Sequence, residues 1–325
     1  MKYVNEKLQE FENFIRNKTV ALIGLESSNL PLLDYFYNKG ANVTVFDSRV
    51  IDEIDKEILD KITDRCIKFS FGEHCLINLV GYEIIFRGPN CKPDLPEIKA
   101  EQLRGAVVTS EIELILEMAP GKIIGVTGSN GAETTAKLIY SILKENGNDC
   151  YLGGNIGDTL FTELENMNKK TIVVLQANNM QLAEVQSSPQ IAVITSIDDE
   201  VQSTSIEEED EKQTNNFEKI FKYQLPSDII ILNYDIDIKK KFIEDIPGKI
   251  KYFSTSDKID NGIVYDNGII KRCEDGVRRH MLTIDDAISV DDPYKIECIC
   301  AAIAATTGIV EPNMQTRAII KYRED

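Results

Sequence analysis

The run Gly125-Val126-Thr127-Gly128-Ser129-Asn130-Gly131-Ala132-Glu133-Thr134-Thr135 sets close-spaced glycines among hydroxyl and amide side chains. It lies between a strand-like run, KIIGV (122–126), and a helical one, TTAKLIYSILKENG, closed by Gly147. In that position, backbone N–H groups at a helix N-terminus can cradle a phosphate chain. The spacing departs from G-x-x-x-x-G-K-[ST], because Val126 stands at the first glycine position and Ala132 at the lysine position. A second turn, in ALIGLESSNLPLLDYF, keeps only Gly24 of a dinucleotide G-x-G-x-x-G, with Glu26 and Asn29 at the other two positions. Glu26 would set a negative charge against a pyrophosphate, which argues against NAD. Asp47 ends the run NVTVFD (42–47) and has two readings. It is either a ribose or base contact at a strand's C-terminal end, or the plain end of a strand entering a turn. Each glycine likewise has a plain reading, retention for the turn itself.

Turns of this kind need strands to aim them, and the chain supplies strands in alternation with helices. TVALIG (19–24), NVTVFD, IIFRGP (84–89) and VVTS (107–110) read as strands, with LPLLDYFYNKG as a helix closed by Gly40. After the helix SEIELILEMAPG a second series begins: KIIGV, DCYLGGNIG, TIVVLQ (171–176), IAVIT (191–195) and DIIILN (228–233). The alternation predicts an α/β fold with parallel sheets in two domains, 1–115 as a Rossmann-like open sheet and 116–325 as a larger one. The acidic stretch 198–216 reads as a solvated loop. IVYDNGIIKRC reads as a small hairpin turning at DNG, and the chain closes with a helix around 293–307 and a short tail.

Composition narrows the function classes. With 36 Lys+Arg against 54 Asp+Glu, the net charge of −18 disfavours nucleic acid and anionic lipid as partners. No apolar run approaches the ~18 residues of a membrane span, and the charged N-terminus lacks a signal-peptide core. The seven cysteines are odd in number and scattered, which predicts reduced thiols and a cytoplasmic protein. His74 and His280 bring no paired spacing, so no zinc signature is present, and Cys298 and Cys300 read as small packing residues of ECICAAIAATTG.

Several blocks, in order, carry a resemblance: PDLPEIKAEQLRGAVVTSEIELILEMAPGKIIGVTGSNG (93–131), TGSNGAET (127–134), GGNIG (153–157), VLQANNMQL (174–182), IAVITSI (191–197), ILNYD (231–235) and ECICAAIAATTGI (297–309). Together they resemble the Mur ligases of peptidoglycan synthesis, whose loop reads T-G-[TS]-N-G-K-[TS]-[TS], and among them the branch that adds D-glutamate. The resemblance implies a Rossmann-like domain followed by the family's central ATP-binding domain. It implies Mg²⁺ and ATP as cofactors and amide formation through a phosphorylated carboxylate. It also implies nucleotide contacts from Gly128, Ser129, Asn130, Gly131, Thr134 and Thr135, and substrate contacts from Asp47, Ser48, Arg49 and Asn155. Gln181 reads as a packed helix residue. The family's C-terminal domain is expected to be absent from this chain.

The same alignment exposes departures. Ala132 replaces the loop lysine, and Glu133 replaces the adjoining hydroxyl residue. A carboxylate ~4 Å from a phosphate oxygen would be repelled by about 4 kcal/mol at an effective dielectric of 20. Gln176 stands where the resemblance implies a metal-binding glutamate, and Val201 where it implies a histidine. Asn216 or Phe217 stands at an implied lysine, with Lys219 three residues late, and Lys295 at an implied asparagine. The expectation is a degenerate relative without ligase activity, with no confident cofactor and no metal. A UDP-sugar-type small molecule or a protein is its expected partner. The alternative is an active ATP-dependent ligase that joins an amino acid to UDP-N-acetylmuramoyl-L-alanine.

Overall fold

Aliphatic runs bounded by Gly, Asn and Asp fold here as strands buried on both faces, the condition met inside parallel sheets. The computed structural model describes residues 3–25, 29–156, 159–197, 216–236, 240–256, 259–284 and 293–322. Contacts divide the chain into two units, Met1–Pro120 with Gly157–Asn168, and Gly121–Ile156 with Lys169–Asp325.

The first unit carries β1 (Thr19–Ile23), β2 (Asn42–Asp47), β3 (Lys68–Phe71), β4 (Ile84–Arg87) and β5 (Val107–Ser110). They form one parallel sheet in the order β3-β2-β1-β4-β5. Strand order therefore reverses between β1 and β4, and in such sheets the ligand crevice lies outside the carboxyl ends at that point. α1 (Glu6–Ile15), α2 (Leu30–Asn38), α3 (Lys56–Asp64), α4 (Pro96–Leu103) and α5 (Glu111–Met118) complete the unit. Asn29, at the third glycine position of the turn after β1, donates through its carboxamide to the carbonyls of Ile23 (3.3 Å) and Gly24 (3.2 Å). That side chain closes the turn where a glycine would let a ligand approach. Glu26 lies outside the described residues.

The excursion 157–168 joins the first unit because of Glu111. Its buried carboxylate accepts from the Thr159 hydroxyl and from the amides of Leu160 (2.6 Å) and Phe161 (3.1 Å). Burial pushes the Glu111 carboxyl above its usual range even though these three donors favour the charged form. The Phe161 ring sits edge-on to Phe11 and Tyr35, at 5.6 and 4.9 Å between centroids.

The second unit carries β6 (Lys122–Thr127), β7 (Cys150–Gly154), β8 (Ile172–Gln176), β9 (Ile191–Ile194), β10 (Ile229–Asn233), β11 (Lys249–Ser254), β12 (Gly262–Asp266), β13 (Ile269–Glu274) and β14 (Val277–Thr283). They form a nine-stranded sheet in the order β14-β13-β12-β11-β10-β9-β6-β8-β7. Pairing is parallel from β7 through β12 and antiparallel from β12 to β14. The hairpin expected at DNG is present, with Asn267 and Gly268 both at positive φ (47° and 82°), as its two-residue turn requires. A third strand, β14, extends it. α6 (Ala132–Glu145) packs Ile139, Ile142 and Leu143 into one core cluster with Ala301, Ala302 and Ala305 of the helix Pro293–Thr306. The expected short tail is instead a helix, Pro312–Lys321. Its buried Gln315 donates to the Ile303 carbonyl (3.0 Å) and the Thr306 hydroxyl (2.7 Å), satisfying groups left open where the preceding helix ends. Among the described residues no helix is long and apolar enough to cross a membrane.

Candidate functional site

In the second unit the carboxyl ends of β6, β8 and β9 converge on the loop 127–131. The Thr127 hydroxyl donates to the Ala177 carbonyl (2.7 Å), which ties the loop's first residue to the end of β8. Gly128 has φ +153°, and an added Cβ would meet the Thr195 hydroxyl at 2.1 Å and the Ser196 amide at 2.9 Å. Close approach of two chain segments therefore requires glycine there. Gly131 has φ +76° and precedes α6, whose N-terminus has no capping side chain.

Two loop amides are already engaged. The Ser129 amide donates to the Ser196 carbonyl (3.2 Å) and the Asn130 amide to the Ser196 hydroxyl (2.7 Å). The Thr195 hydroxyl reaches the Asn130 carbonyl at 2.5 Å, and the Cys298 thiol donates to the Gly131 carbonyl at 3.4 Å. Thr195, Ser196 and Cys298 are site residues the sequence reading did not find, and nothing in their local pattern marks them. Thr135 is fully buried, and among the described residues its hydroxyl has no hydrogen-bond partner. Thr134 lies in the first turn of α6.

Ala132 is 5% exposed and belongs to the unit's apolar core. Glu133 turns along the helix to Lys137, with 2.8 Å between charged atoms, and is 62% exposed. An exposed i,i+4 pair screens that carboxylate, so the repulsion expected from a bare charge at this position is reduced. Gln176 is buried, and its Oε1 accepts no hydrogen bond among the described residues. The Gln176 carbonyl accepts from the amide of exposed Asn155 (2.8 Å), whose Oδ1 takes a bond from the Asn178 carboxamide (3.3 Å). Loop, Asn155 and Gln176 are therefore brought to the same end of the sheet. Asn178 and Gln181 form a reciprocal capping box, 2.8 and 3.0 Å, that starts the short helix Asn179–Leu182. Its N-x-x-Q spacing was a legible signal for this cap.

Phe217 is buried in the core, and the Asn216 amide donates to Asn179 Oδ1 (2.7 Å), so neither position supplies a cation. Lys219 starts a one-turn helix, Lys219–Lys222, and Lys295 is half-buried in the first turn of Pro293–Thr306. Val201 and nearly all of the acidic stretch 198–216 lie outside the described residues. On the β10 side, Asn233 donates to the Thr195 carbonyl and to Glu297 Oε2, both at 3.4 Å. Burial pushes the Glu297 carboxyl up, and the Asp235 charge adds to that shift. Burial would raise Asp235 too, but hydrogen bonds from Ser256, Thr255 and Ser254 outweigh it and hold Asp235 below the usual carboxylate range.

In the first unit, Asp47, Ser48 and Arg49 gather at the end of β2. Asp47 is buried and accepts from the Leu25 amide (2.9 Å), the Arg49 amide (3.0 Å), Arg49 Nε (2.9 Å) and Arg49 Nη2 (2.7 Å). Arg49 Nη2 also donates to the Leu25 carbonyl (3.3 Å), and Ser48 is exposed beside the pair. Burial alone would raise the Asp47 carboxyl, yet the Arg49 guanidinium and the two amides hold it below its usual range. Stability from this depressed carboxyl is present above the ordinary Asp pKa and is lost as pH falls through the folded-state value. Asp47→Asn is therefore expected to cost about 2 kcal/mol at neutral pH. The deficit should shrink in acid, which urea unfolding across a pH series measures.

Comparison with known proteins places this geometry. The family model of the Mur ligase middle domain matches residues 126–305. The chain belongs to the Mur ligase family. It is 36% identical, over 96% of its length, to UDP-N-acetylmuramoylalanine--D-glutamate ligase of Acetivibrio thermocellus, and covers 66% of that protein. It is 35% identical, over 97% of its length, to the ligase of the same name from Ruminiclostridium cellulolyticum, and covers 67% of it. The chain thus spans about two thirds of the length of these relatives. In fold it is similar to the UDP-N-acetylmuramate:L-alanyl-gamma-D-glutamyl-meso-diaminopimelate ligase of Neisseria meningitides. That match has a TM-score of 0.61 at 14% identity and covers 95% of this chain and 99% of the other.

Three positions at this end of the sheet bear on nucleotide chemistry. A metal-bound triphosphate needs a cation at the phosphates and hard oxygen ligands for the metal. This loop offers a buried alanine at 132, an ion-paired carboxylate at 133 and a neutral carboxamide at 176. Among the described residues no group of three or more His, Cys, Asp or Glu is arranged to hold a metal. Residues 132 and 176 are thus uncharged, and the carboxylate at 133 is paired with Lys137.

Proposed function

We propose that this Mur ligase family member works in the cytoplasm as a binding protein linked to peptidoglycan synthesis and does not catalyse ATP-driven amide ligation. Ala132 carries the reading: the position that would neutralise a migrating phosphoryl group holds a methyl group packed in the core. Loss of one such transition-state donor costs ~10²–10³ in rate. A UDP-sugar-type molecule is the proposed ligand, met by the Asp47–Arg49 pair and Ser48 at the end of β2. A protein partner is the other ligand class compatible with a non-catalytic role.

The test is release of ADP or phosphate in the presence of Mg²⁺-ATP, UDP-N-acetylmuramoyl-L-alanine and D-glutamate. Background rates are expected, and turnover above background overturns the reading. Calorimetry with the same UDP-sugar is expected to show saturable binding that Arg49→Ala weakens by about tenfold, the effect of losing a charge-assisted contact. A second reading, an active ligase, draws support from the 36% identity to a D-glutamate ligase across 96% of the chain. Amide product in that assay would establish it.

A further inference from the structure

Toward the edge of the second unit's sheet, β11, β12 and β13 line a half-open cavity of about 310 Å³ against the C-terminal end of the helix Pro293–Thr306. It is separate from the loop. The loop meets that helix at Cys298, whereas the cavity meets it at Ala304, about 9 Å further along the axis. The volume lies at the lower end of the range for small-molecule sites. Ile263 and Ala304 give it an apolar wall, and Lys251 and Arg272 bring two cations to it.

The charges around the cavity are unbalanced. Among the described residues, the half-buried Lys251 makes no hydrogen bond or ion pair. Glu274, the carboxylate in the cavity wall, is taken by the Arg272 guanidinium and lies 3.8 Å from Arg279. Among the described residues, three cations therefore face one carboxylate, in a chain whose net charge is −18. Burial depresses the Lys251 amine, and the charges of Arg272 and Lys249 depress it further against the pull of Glu274. A half-buried ammonium beside a guanidinium is satisfied when an anion joins it. Gly262 permits the close approach that shapes the wall: at φ +140°, a Cβ there would meet the Tyr252 carbonyl at 2.1 Å.

We propose that this cavity binds a small organic anion, its carboxylate or phosphate met by Lys251 and Arg272 and its apolar body lying against Ile263 and Ala304. Calorimetry on the full chain tests it with benzoate, phenyl phosphate, inorganic phosphate and neutral benzyl alcohol as probes. Benzoate and phenyl phosphate are expected to bind saturably, and inorganic phosphate and benzyl alcohol at least about tenfold more weakly, since each lacks one of the two contacts. Lys251→Met is expected to weaken benzoate by about tenfold with an unchanged melting temperature. Equal affinity in Lys251→Met, as binding at the loop would give, overturns the proposal. So does inorganic phosphate binding as tightly as phenyl phosphate, or no binding by the wild type. A readout without any variant uses protein whose lysines carry ¹³C-methyl groups. One lysine signal titrating below the others should move on adding benzoate, and no movement overturns the proposal.

Discussion

Ala132→Lys combined with Glu133→Thr is expected to tighten Mg²⁺-ATP binding by about tenfold or more, from a roughly millimolar starting affinity. The change removes one negative charge from the first turn of α6 and adds a positive one beside it. Unit charges 4 Å apart interact by about 4 kcal/mol at an effective dielectric of 20, and solvent exposure reduces that figure. The Glu133–Lys137 pair already masks part of the unfavourable charge, so most of the gain should come from residue 132. Calorimetry on the wild type, the two single variants and the double variant separates these contributions. Micromolar affinity in the wild type would contradict the argument. No gain in the double variant would locate the obstacle in the loop backbone, whose Ser129 and Asn130 amides are spent on Ser196.

Gly154→Ala is expected to have the largest effect on stability, about 3 kcal/mol or more, through overpacking and backbone strain together. Gly154 ends β7 at φ +100°, and a Cβ there would sit 2.0 Å from the Gln176 carbonyl oxygen. The obstructing atom is backbone, so no side chain can swing aside to make room. The same carbonyl accepts from the Asn155 amide, so forcing the strands apart also displaces Asn155 and Gln176. Urea unfolding should show a lower midpoint with an unchanged slope. Gly147→Ala is the comparison: it shares a positive φ of +79°, but nothing lies within 4 Å of its added Cβ. It should show only the smaller cost of backbone strain. Equal losses in the two variants would show that the contact with β8 contributes nothing.

The local periodicity of this chain was enough to place the loop and most of its strands, though not β3, β11 or β14. Runs such as TVALI, IIFR and IIILN are continuous and aliphatic because both faces of a parallel strand are buried, and turn residues end them. DNG announced its turn because few dipeptides tolerate two successive positive φ angles. The strand-to-helix position of Gly128–Thr135, and the missing lysine within it, were likewise legible from residue order alone. Long-range contacts decided the rest. Thr195 and Ser196 pin a loop some 66 residues earlier in the chain, and strand pairing of β9 with β6 is what brings them there. Glu111 draws 159–161 into the first unit from 48 to 50 residues away, because a buried carboxylate must find donors wherever the fold supplies them. Asp47 reads in the sequence as a bare charge at a strand end, and only the fold brings the Leu25 amide to it from 22 residues away. Residue types and local periodicity are properties of neighbours in the chain, so they survive in the sequence. Charge compensation and the satisfaction of buried polar groups depend on residues brought together by folding, so only the tertiary structure decided them.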